Sequence, residues 1–173
     1  TLAKPNGGTI TFFGSVHILP EGPDWRTPAV RTAFDGAETI VLETPLAETQ
    51  EQAFQTYILQ NGTHPQGTPL RGLLSEADRA TYDQAMGVLG APIEALDAFR
   101  PWLASLTMTV IFAQKQGYSP ESGVDTQVEK AGRLAGKQFA FFESPKEQID
   151  FFINLPPAVE QRLLTATAKD LVE

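Results

Sequence analysis

The chain alternates between short β-type runs and longer stretches with helical spacing. Thr9–Val16 (TITFFGSV) is rich in β-branched and aromatic residues and reads as a strand that closes on His17. Thr27 followed by Pro28 is a helix start, with Val30, Ala33 and Phe34 on one face and a stop near Gly36. Thr39–Leu42 is a second, shorter apolar run that ends at Glu43. A strand, a helix and a like-directed strand make a parallel pair through a right-handed crossover, so both strands finish on one edge of a sheet. In open α/β sheets that edge is where ligands bind. His17 and Glu43 are therefore expected to meet in space although they lie far apart along the chain.

Beyond Glu43 the helical period dominates. Glu48–Gln60 carries Phe54, Tyr57 and Ile58 as a stripe and ends at Asn61-Gly62. A short apolar piece, Leu70–Leu74, precedes a helix capped by Ser75 and Asp78 that runs through Met86. Gly90-Ala91-Pro92 breaks it, and Pro92–Ala98 reads as a helical turn. Arg100-Pro101-Trp102 opens an apolar helix, Leu103–Gln116, with Trp102 expected in the core. Val124–Leu134 is a further helix with Asp125 in its first turn, where an acid also suits the helix dipole. Gly136-Lys137 turns the chain into a strand, Gln138–Phe142, that ends at Glu143. Pro145 and Pro157 start the last two helices, and Phe151, Phe152, Ile153 and Leu155 are expected to pack on the sheet. The expected fold class is α/β (α+β), one domain over residues 1–173, with a central mixed sheet flanked by helices.

Composition narrows the chemistry. A formal net charge of −8 disfavours nucleic acid and anionic membrane surfaces as partners. No apolar run is long enough to span a bilayer. Without cysteine there are no disulfides, thiolate metal sites or thiol nucleophiles, so any metal is held by His, Asp or Glu. TLAKPNGG has no signal-peptide pattern and no initiator Met, so Thr1 reads as a processing or trimming boundary. A processed start suits an exported, periplasmic protein, with the cytoplasm as the other compartment.

The strand ends His17, Glu43 and Glu143 recur as candidates for one crevice. An imidazole and a carboxylate together suit a divalent ion such as Mn, Co or Zn. Glu143 or Asp125 would then orient a water or take a proton. The outcome is a metal-dependent hydrolase acting on a peptide or other acyl substrate. Two other readings stay open. One is a non-catalytic binding protein for a peptide or haem, with His17 as haem ligand or hydrogen-bond donor. The other is an interaction domain in which His17 and Glu43 only bond each other. The second histidine, His64 in GTHP, reads as a loop residue.

FFGSVHILPEG, a helix and IVLETPL together resemble the opening of the TraB/GumN family, which includes the animal Tiki proteins. GVDTQVEKAGRLAGKQFAFFESPKEQIDFFINLP resembles its later motifs, so the likeness runs in order over nearly the whole chain. It implies a fold akin to erythromycin esterase and the haem-binding ChaN-like proteins, and a metal-dependent protease activity. His17 matches the first Gly-x-x-His histidine, Glu43 the Glu that follows, and Asp125 and Glu143 later acidic positions. The family pattern carries a second Gly-x-x-His near the end of a longer chain, and this sequence reaches Glu173 without one. The resemblance therefore implies a domain that lacks the C-terminal part bearing that motif.

Overall fold

The computed structural model describes residues 1–3, 7–22, 24–45, 52–64 and 69–173. Asn6 of the predicted first turn, Pro23 of the loop after His17, the predicted helix start at Glu48 and the loop over 65–68 lie outside the described residues. The chain forms two compact units, one from Thr1–Glu43 with Gly117–Phe142, the other from Thr44–Gln116 with Glu143–Glu173.

The first unit is mixed α/β. Its elements in chain order are β1 (Leu2–Ala3), β2 (Thr9–Ile10), β3 (Leu19–Pro20), α1 (Pro28–Gly36), β4 (Thr39–Leu42), β5 (Tyr118–Ser119), α5 (Val124–Leu134) and β6 (Gln138–Phe141). Helix starts follow the sequence signals. The Thr27 hydroxyl accepts from the Val30 amide, and Pro28 opens α1, where its missing N–H costs nothing. At the other end of the unit, β4 and β6 pair in parallel, with Ile40 opposite Phe139 and Leu42 opposite Phe141. Helix α5 lies on this ladder through Gly132. A Cβ there would collide with Ile40 Cδ1 and the Phe139 ring, so only glycine lets the helix come so close.

Two expectations about the sheet are corrected. The first concerns the long strand Thr9–Val16, of which only Thr9–Ile10 is strand, paired antiparallel with Leu2–Ala3. Residues 11–16 have no ladder partner among the described residues, and the Val16 carbonyl accepts instead from the Val124 amide at the start of α5 (2.8 Å). The parallel partner of β4 is thus β6 and not the segment before His17. The second correction concerns the central mixed sheet: the described residues form three separate two-stranded sheets, β1–β2, β3–β5 and β4–β6. Two-stranded sheets are marginal alone, so these depend on the helices beside them.

The second unit is helical. It contains α2 (Gln52–Gly62), α3 (Glu76–Leu89), α4 (Pro101–Lys115), α6 (Pro145–Ile153) and α7 (Pro157–Val172), with a 3₁₀ turn at Leu70–Leu73. Ser75 caps α3, and Ser144 with Glu147 forms a full capping box on α6. Its core is built from α3, α4 and α7, where Tyr82, Met86, Met108 and Leu164 are fully buried. Trp102 is fully buried and stacks on Phe152 at 6.1 Å between ring centroids. Phe152 therefore packs on a helix, contrary to the expected sheet contact, and Phe151 is exposed.

Arg100 ties four segments of this unit together. It donates to the carbonyls of Asn61 and Ile153 (both 3.0 Å), pairs with the buried Glu160 and begins α4. His64 follows α2 in this unit, its amide bonded to the Ala98 carbonyl. Burial holds its ring below the usual histidine pKa.

Candidate functional site

His17, Glu43 and Asp125 converge in the first unit. His17 sits between two anchored points, the Val16 carbonyl on the Val124 amide and β3, whose Leu19 pairs with Ser119. Glu43 follows the last residue of β4. Asp125 is the second residue of α5, where the exposed amides of the first turn favour a negative charge.

His17 Nδ1 and Asp125 Oδ2 are 2.6 Å apart. An ionised carboxylate only accepts, so Nδ1 carries the proton and donates it to Asp125. In the neutral form of the ring the lone pair is then on Nε2, which lies 3.8 Å from Glu43 Oε2. Burial differs sharply across the three. The Asp125 side chain is 9% exposed, whereas His17 and Glu43 are 61% and 59% exposed. The second Asp125 oxygen, Oδ1, is buried with no hydrogen-bond partner among the described residues. A buried carboxylate thus grips the inner nitrogen of a ring whose outer nitrogen opens to solvent beside a second acid.

Glu143 was grouped with these residues from its place at a strand end. It lies in the other compact unit, next to the Ser144 cap of α6. His64 also belongs to that unit. Among the described residues no group of three or more His, Asp or Glu side chains forms a metal-holding cluster.

Gly123 is a supporting residue that the sequence reading passed over. It precedes α5, and a Cβ built on it would collide with the His17 backbone carbonyl. Its φ of −56° is open to any residue, so the demand is for space and not for glycine's dihedral freedom. Gly123→Ala is expected to displace His17 and cost about 1–3 kcal/mol of stability, in the range of overpacked sites. Thermal unfolding of the variant checks this, and an unchanged melting temperature would show that the close approach is relieved without cost. A glycine directly before a helix that starts with a buried acid was the available sequence signal.

The profile of the TraB/PrgY/gumN family matches residues 1–173. The chain belongs to this family. No curated protein and no solved structure matches the chain. The matched span of the TraB/PrgY/gumN chain includes every residue of the His17, Glu43 and Asp125 constellation. No helix among the described residues of this family member is long and apolar enough to cross a membrane.

Proposed function

We propose that this TraB/PrgY/gumN chain is a metal-dependent hydrolase acting on a peptide or other acyl substrate. His17 and Glu43 would hold the ion, and Asp125 would position His17. The supporting observation is the two-sided bonding of His17, with Nδ1 committed to a buried carboxylate and Nε2 open towards Glu43. Histidines that bind metals commonly donate their other N–H to a carboxylate in this way. The 3.8 Å between Nε2 and Oε2 is too long for a hydrogen bond. It is shorter than two metal–ligand bonds of about 2.1 Å placed end to end, so the pair fits one ion. The donor set, one imidazole nitrogen and one carboxylate, suits Mn, Co or Zn, with water or a further donor in the remaining positions.

When bound, such an ion lowers the pKa of a coordinated water and polarises an acyl carbonyl. The protein's own groups supply the rest. Asp125 fixes the tautomer and orientation of His17, so that Nε2 is presented as a neutral donor. Glu43 has a second oxygen able to accept the proton released as water attacks. The fold likeness to erythromycin esterase and ChaN-like proteins belongs to the same reading.

Calorimetric titration with Mn²⁺, Co²⁺ and Zn²⁺ tests the proposal. The expected result is one ion per chain, bound at least ~10-fold more weakly by Glu43→Gln, the lower end for loss of a supporting group. Equal affinity in wild type and Glu43→Gln would remove Glu43 from the ligand set. A wild-type chain that takes up none of the three ions but binds haem, followed by absorbance, would replace the hydrolase with the haem-binding reading.

A further inference from the structure

A second feature of the first unit lies one helical turn from Asp125. Trp25, Val30, Phe34, Val128 and Ala131 line a cavity of about 220 Å³ between α1 and α5. Val128 follows Asp125 by three positions on α5, so the cavity begins where the His17 support ends. Trp25 stacks on Phe13 at 5.8 Å, and Phe13 stands four residues before His17. The cavity wall and the segment that carries His17 are therefore in contact.

Its size and charge restrict the occupant. A drug-sized ligand needs about 300–1,000 Å³, so this space suits a single large side chain. The lining is mostly apolar and aromatic, and the charges around it are unevenly matched. Arg31 is paired with Asp24 (2.6 Å), and Lys137 sits over the Phe34 ring and bonds the Asp35 and Ala37 carbonyls. Asp35 is the acid in the lining. Arg26 is half-buried, with its guanidinium over the Trp25 ring at 5.1 Å and no carboxylate partner among the described residues. The lining itself thus carries two cations, Arg26 and Arg31, against one acid, Asp35, on a chain whose net charge is −8. A half-buried guanidinium over an aromatic wall is a ready hydrogen-bond donor to a carboxylate.

We infer that this cavity is a specificity subsite for an aromatic side chain flanked by a carboxylate, with Arg26 as the group that reads the acid. The inference rests on the hydrolase reading in that it names the substrate class of the same site. The ring would fill the space between α1 and α5, and the carboxylate would displace water from Arg26. The substrate would then be an acidic peptide, its aromatic residue seated between α1 and α5.

The test measures binding with no metal added, so failure of the cavity and failure of the metal pair are separable. N-acetyl-phenylalanine, its amide and N-acetylglycine are titrated by NMR. The acid is expected to bind about tenfold tighter than the amide, the gain from one charge-assisted hydrogen bond. N-acetylglycine, which lacks the ring, is expected not to bind. Arg26→Gln should bind acid and amide equally, at the wild-type affinity for the amide. Ala131→Phe, which fills the cavity, should bind neither. Acetyl-Asp-Phe-amide compared with N-acetyl-phenylalanine distinguishes a side-chain carboxylate from a terminal one. Equal binding of acid and amide by wild type, or an acid preference that survives Arg26→Gln, would overturn the role of Arg26. Wild-type affinity in Ala131→Phe would overturn the cavity itself.

Discussion

His17→Ala is expected to lose divalent-metal binding and hydrolysis together, and Asp125→Asn to lose about 10- to 100-fold in metal affinity. The second effect is the more telling, because Asp125 faces the protein interior and not the ligand. Its carboxylate accepts the Nδ1 proton of His17 at 2.6 Å and is nearly buried. An Asn side chain of the same shape can offer its carbonyl oxygen to Nδ1 or its NH₂. The first choice keeps the tautomer but removes the negative charge that raises the basicity of Nε2. The second moves the ring proton to Nε2 and closes that nitrogen to a ligand. Both weaken metal binding, and only the second converts Nε2 from acceptor to donor. Calorimetry of Asp125→Asn, with ¹⁵N shifts of the His17 ring to report the tautomer, distinguishes the two. Wild-type affinity in Asp125→Asn would mean that His17 needs no carboxylate behind it, and the positioning role would be withdrawn.

Arg100→Ala is expected to destabilise the helical unit by about 3–5 kcal/mol, the usual cost of breaking a buried ion pair from one side. Domain stabilities are commonly about 5–15 kcal/mol, so this is a large share. The Glu160 side chain is 4% exposed and would be left buried without its guanidinium partner. The carbonyls of Asn61 and Ile153 would lose their guanidinium donors at the same time. The pair is not fully satisfied even in the native protein, because Glu160 Oε2 is buried without a partner among the described residues. The double variant Arg100→Met, Glu160→Met is therefore expected to be more stable than Arg100→Ala alone. Urea denaturation measures both, and a cost below about 1 kcal/mol for Arg100→Ala would place the pair with weak surface bridges.

Much of the helical structure was legible because its signals are local. Pro28, Pro101, Pro145 and Pro157 each open a helix at the position where a missing N–H is harmless, and Thr27 and Ser75 cap as their side chains suggest. The strands were less legible because pairing is not local. TITFFGSV has good strand composition, yet composition cannot say whether a neighbouring strand exists, and residues 11–16 find none among the described residues. The pairing of Ile40 with Phe139 joins residues almost a hundred positions apart, which no turn signal could reveal.

The site divides along the same line. His17 and Glu43 stood out as polar residues closing apolar runs, and their ends approach to 3.8 Å. The bond from His17 to Asp125 was hidden because an acid in the first turn of a helix already has an adequate local explanation in the helix dipole. Trp25 and Arg26 lie in a loop without periodicity, and only the fold, which brings residues of α1 and α5 to the same cavity, gives them a shared place.

The division of the chain has a consequence for the order of events at the ribosome. The unit that holds His17 is assembled from two separated pieces, with Thr44–Gln116 emerging between them. A nascent polypeptide already contains His17 and Glu43 long before Asp125 exists to grip the ring. Closing so large a loop carries an entropic penalty and slows folding. The helical unit is split in the same way, because α7 completes the core of α3 and α4 and follows Asp125 in the chain, so neither unit can close before the second half of the polypeptide has emerged and the imidazole gains its fixed orientation late.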